Sequence, residues 1–89
     1  MSGNRKSHLL AETAAHYSIS LYGRMTDGCA ERLWGMQATV VNADGEWPVT
    51  ILTGRLPDQA ALAGVLMCIY EYGLPLIALQ RREEFSAWK

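Results

Sequence analysis

Few residues in this chain are of a type and spacing that do chemistry. His8 and His16 have no second ligand at a metal-holding interval such as HxxxH, so no metal centre is expected. Cys29 and Cys68 form no CxxC pair. Cys29 falls near the start of a short predicted helix, where the helix terminus could activate a thiol. No neighbouring base supports that role, and it reads as a plain small side chain; Cys68 flanks an apolar stripe and reads as packed. The carboxylates Asp27, Glu31, Asp44, Glu46, Asp58, Glu71, Glu83 and Glu84 lie mostly at helix caps, turns and the tail, where solvated acids stabilise a fold. A paired general acid and base cannot be read from them. Phosphate-binding glycine loops, nucleophile elbows and HExxH zinc motifs are all missing from the sequence. It leans away from an enzyme and calls for no cofactor, since fold analogy alone is a weak ground for activity.

The elements that would position these residues are easier to read. Leu62, Val65, Leu66 and Ile69 recur at i, i+3, i+4 and i+7, with Ala61 and Tyr72 at the edge of the same face, which predicts a helix packed on a sheet. Pro57 and Asp58 suit its start, Asp58 as the cap; Gly73 supplies a left-handed end, and Pro75 forbids continuation. From Ala15 to Gly23 the residues alternate, with Tyr17, Ile19 and Leu21 on one face of a strand. Asp27 to Trp34 is expected to be a short helix with Leu33 inward, ended by Gly35. Met36–Val41, the turn Asn42–Gly45 and Pro48–Thr53 read as a hairpin, and Leu76–Arg81 as a last strand.

The resulting β-α-β-β-α-β order is the split βαβ, ferredoxin-like arrangement. It predicts an α+β fold with a four-stranded antiparallel sheet in the order 4-1-3-2 and both helices on one face. The alternative is a β-meander with a single helix across it. Residues 1–14 are expected to be a mobile arm, 15–82 one domain, and 83–89 a tail whose Phe85 and Trp88 fold back on it.

The chain has 89 residues, of which 49% are hydrophobic and only 19% charged, with a net charge of -1. That balance gives no electrostatic footprint for nucleic acid or anionic lipid. The element order is shared with RNA-recognition motifs, but the third strand reads VTILTG where a basic and aromatic signature would stand, and Tyr17 and Tyr22 point to opposite faces. The opening segment has no signal-peptide core, and the uncharged run Ala60–Tyr70 is too short to span a bilayer. A reduced, cytoplasmic, soluble protein is expected.

Charge-poor small domains must leave apolar surface exposed or cover it with another chain. Four strands make a sheet about 20 Å wide, and one helix covers about 10 Å of that. A first helix of some two turns cannot roof the remainder, although Trp34 could plug part of the gap. The outer face of the long helix carries Ala60, Ala63, Gly64, Met67 and Tyr70, unlike a solvated helix face. These five are the expected interface, with the uncovered part of the sheet as the alternative surface, and a homodimer is the first expectation.

The segment LTGRLPDQAALAGVLMCIYEYGLPLIALQRRE, with YSISLYGRM before it, resembles a group of small uncharacterised bacterial proteins. They share a pattern close to L-[ST]-G-x-[LV]-x-D-Q-A-A-L-x-G-[VL]-L-x-x-I-x-x-x-G-L-x-L-I-x-[LV]. Leu52, Thr53, Gly54, Asp58, Gln59, Gly64, Gly73 and Leu76 are among the positions that meet it. Many members have His where this chain has Ala63, which argues against a catalytic role there. The resemblance implies a small stand-alone domain and a structural cap at Asp58-Gln59, and brings no activity. Two functions stay open. One is a non-enzymatic, homo-oligomeric protein-interaction or regulatory module. The other is a small-molecule or cofactor-free ferredoxin-like dimer, with a pocket between sheet and partner lined by Tyr17, Ile19, Leu21, Trp34, Met36 and Trp47.

Overall fold

The computed structural model describes residues 13–25 and 33–83. Their elements are β1 (Ala15–Tyr22), β2 (Gln37–Val41), β3 (Val49–Leu56), the helix α1 (Gln59–Tyr72) and β4 (Leu76–Glu83). The strands form one antiparallel sheet in the order β2-β3-β1-β4. Taken from β4, that is the expected order 4-1-3-2; because β1 lies between β3 and β4, the strands do not form a meander. The expected helix over Asp27–Trp34 lies outside the described residues except at its end, where Leu33 is buried and accepts a turn hydrogen bond from Met36 N–H at 3.0 Å.

The two inner strands set the core. Strand alternation puts Ala15, Tyr17, Ile19 and Leu21 on the buried face of β1, opposite Leu56, Gly54, Leu52 and Thr50 of β3. Gly54 is where this layer is tightest, since a Cβ there would stand 3.1 Å from Met36 Cγ and 3.2 Å from its Cα. Its missing side chain lets Met36 close over β3, which continues past the glycine to Leu56. Thr50, fully buried, ties down the chain leaving β1. Its hydroxyl donates to Gly23 O at 2.6 Å and accepts from Met25 N at 3.0 Å.

The helix ends follow the signals in the sequence. Asp58 is extended and its Oδ1 accepts from Ala61 N at 2.8 Å; Gly73 is left-handed at φ 74° and donates to Ile69 O and Tyr70 O. The buried face comprises Ala61, Leu62, Val65, Cys68 and Ile69. It is therefore rotated from the expected stripe: Cys68 is sealed, Leu66 is half-buried, and Tyr72 is exposed. One flank of α1 is covered and the other is open, which is the asymmetry the site is built on.

Candidate functional site

The open flank can be traced from α1 to β4 through one side chain. Gln59, Ala63, Leu66 and Tyr70 fall at i, i+4, i+7 and i+11 and so form one row along the helix. Gln59 Nε2 donates to the Tyr17 hydroxyl at 2.7 Å, and Arg81 Nη1 of β4 donates to the same oxygen at 3.2 Å. The row thus runs along the β4 side of α1. The Arg81 guanidinium also lies 5.8 Å from the Tyr17 ring centroid, within cation–π range.

Beyond that polar end the flank is apolar. Ala63, Leu66, Met67 and Tyr70 line a groove of about 380 Å³, with Met67 58% and Tyr70 79% exposed. Beside it, β4 is an edge strand of the described sheet and shows Leu76, Ile77 and Leu79 at 51%, 42% and 39%. Of the expected interface residues, Ala60, Ala63, Gly64, Met67 and Tyr70 are all exposed. Ala63, Met67 and Tyr70 belong to this flank. Gly64 faces the other way, where a Cβ would stand 3.9 Å from the Trp34 indole nitrogen.

The six residues expected to line a pocket are divided by the fold. Tyr17, Ile19, Leu21 and Met36 are core residues, whereas Trp34 and Trp47 are exposed at 56% and 69%. Trp47 meets Tyr22 edge to face, ring centroids 6.2 Å apart. Its turn is braced by Arg24, whose guanidinium donates to Ala43 O, and by Asn42 Nδ2, which donates to Trp47 O at 3.3 Å.

The sheet face turned away from α1 carries a different chemistry. Register places His16 between Arg55 of β3 and Arg82 of β4, and the next row on the same face is Thr53, Ser18 and Gln80. A concavity of about 830 Å³ opens at this end of the sheet, lined by His16, Ser18, Thr53, Gln80 and Arg82 together with Tyr17 and Arg81, and not by Arg55. Strand parity alone puts His16 and Ser18 on that face. The cross-strand register that assembles three cationic or titratable side chains had no local signal, nor did the Gln59–Tyr17–Arg81 contact.

His8, Cys29, Phe85 and Trp88 lie outside the described residues. Among the described residues, no group of three His, Cys, Asp or Glu side chains could hold a metal ion, and no helix is long and apolar enough to cross a membrane. Residues 16–80 fit the family model of a domain of unknown function (DUF8691). No curated protein and no solved structure matches the chain.

Proposed function

The chain belongs to that family, a membership that names no activity, and we propose from its surface that it is a non-enzymatic module assembling with a second copy of itself. The observation that carries this reading is the exposed apolar flank on the side of α1 that Arg81 of β4 approaches, together with exposed apolar side chains on β4, an edge strand among the described residues. An edge strand with exposed Leu76, Ile77 and Leu79 is a template for strand addition.

A second copy suits this edge for a geometric reason. Antiparallel pairing of β4 with β4 is two-fold by construction, and it brings the two α1 flanks together on one side of the joined sheet. With the axis near Leu79, Arg81 of one copy falls opposite Ile77 of the other. The two Arg81 residues are then offset by about 13 Å along the strands, rather than stacked as a parallel pairing would have them. The same reading takes the fold as the ferredoxin-like split β-α-β-β-α-β arrangement, supported by the strand order. A reducing cytoplasm suits Cys68, a buried cysteine that forms no disulfide.

The test is a pair of charge insertions, Met67→Glu on the helix and Ile77→Lys on the strand, each read by sedimentation and by circular dichroism. Both side chains are exposed, so the fold should be retained while the assembly dissociates. Assemblies that survive both substitutions would contradict this surface.

A further inference from the structure

We propose that the apolar groove of α1 is the seat of this chain's own segment 84–89, so that a second copy must displace that segment in order to assemble. The groove is the one lined by Ala63, Leu66, Met67 and Tyr70 on the β4 side of the helix. Met67 and Tyr70 are its most exposed walls. The sequence continues from β4 as Glu84-Phe85-Ser86-Ala87-Trp88-Lys89, two aromatic side chains three residues apart between an acid and a base. Laying those rings on the groove removes apolar surface of both from water, at about 25 cal/mol for each Å² covered.

The sheet delivers this segment to the matching end of the helix. Ala15 pairs with Leu56 on one side and with Glu83 on the other, so β4 leaves the sheet at the end where β3 passes through Pro57 and Asp58 into α1. A chain that turns there runs alongside α1 in the same direction. Along the helix axis Ala63, Leu66 and Tyr70 stand about 6, 10 and 16 Å from Gln59. An extended segment gains about 3.3 Å per residue, which carries Phe85 about 7 Å and Trp88 about 17 Å beyond Glu83. With a turn taking up part of that length, Phe85 meets the Ala63 end of the groove and Trp88 reaches Leu66 and Met67. Charge agrees with this direction. Apart from the Asp58 cap, α1 has no acidic residue in its first turn and no basic residue in its last. Glu84 beside the first turn and Lys89 toward the last complement the helix macrodipole, and a segment laid the opposite way would set both charges against it. The competition rests on the self-assembly proposed above, whereas the docking does not.

The test is nuclear magnetic resonance on the full chain carrying Ile77→Lys, which blocks strand pairing, compared with the same chain carrying Phe85→Ser and Trp88→Ser as well. Nuclear Overhauser contacts from the Phe85 and Trp88 rings to the methyls of Ala63, Leu66 and Met67 are expected. The two serines should abolish them and shift the resonances of Ala63, Leu66, Met67 and Tyr70. Without Ile77→Lys, sedimentation should show the serine pair tightening self-assembly at least about tenfold, since a groove filled about 90% of the time lowers the apparent affinity by that factor. Ring contacts in a chain that stays monomeric with or without the serines would uphold the docking and remove the self-assembly reading. Ring contacts together with an unaltered dimer would overturn the competition. Groove resonances unmoved by the serine pair, or ring contacts that arise only between differently labelled chains, would overturn the docking and leave the groove to the second copy.

Discussion

The Tyr17 hydroxyl accepts a hydrogen bond from Gln59 Nε2 at 2.7 Å, joining the centre of the sheet to the first residue of the helix. Arg81 donates to the same oxygen from the edge strand, so one phenol fixes the relative position of β1, α1 and β4. Tyr17 is 4% exposed, while Gln59 and Arg81, its two donors, are half-buried. Tyr17→Phe should lower stability by about 1 kcal/mol, since both half-buried donors lose their acceptor. Urea unfolding checks this, and a cycle with Gln59→Ala should show the two changes to be non-additive.

Thr50 is the second buried polar residue whose loss should be costly. Thr50→Val keeps its shape but strands Met25 N–H and Gly23 C=O, both of which bond its hydroxyl. The expected loss is roughly 1–3 kcal/mol by denaturant unfolding. A valine variant as stable as the parent would mean that water satisfies those groups.

Two glycines of α1 and its cap should respond with opposite signs. Gly73 is left-handed, φ 74°, so Gly73→Val should cost more than about 1 kcal/mol. Gly64 sits in mid-helix with its nearest obstacle, the Trp34 indole nitrogen, 3.9 Å from an added Cβ. Gly64→Ala should raise stability by roughly 0.5–1 kcal/mol. Thermal melts of the two variants on either side of the parent's Tm are the predicted pattern.

At the other end of the helix, Asp58→Ala removes the acceptor of the Ala61 N–H bond, 2.8 Å long. The expected cost is about 1 kcal/mol. Asp58→Asn, which keeps an acceptor oxygen, should recover most of it in the same melting experiment.

These contrasts show where the sequence was informative. Alternation through Tyr17, Ile19 and Leu21 gave the buried face of β1 directly, and Asp58 and Gly73 bounded α1, because each signal is local to the residues that produce it. The length of β3 was not legible. Gly54 interrupts its pattern, and the strand continues to Leu56 through pairing with Tyr17, His16 and Ala15 of β1, with Met36 close over the glycine. The helix face was read a little off its true direction, because periodicity weighs Leu66 and Cys68 by hydrophobicity alone and does not know which flank is covered. Neither Tyr17 with Gln59 and Arg81 nor His16 with Arg55 and Arg82 could be assembled from sequence, since both depend on pairings between distant strands.

The central claim is that the α1 flank and the β4 edge are covered by a second copy. Light scattering on the intact chain across micromolar concentrations tests it most directly. A mass of twice 9.9 kDa at the higher concentrations is predicted, falling toward the monomer in Met67→Glu. A single 9.9 kDa species at every concentration would contradict the claim and leave the flank to a different protein.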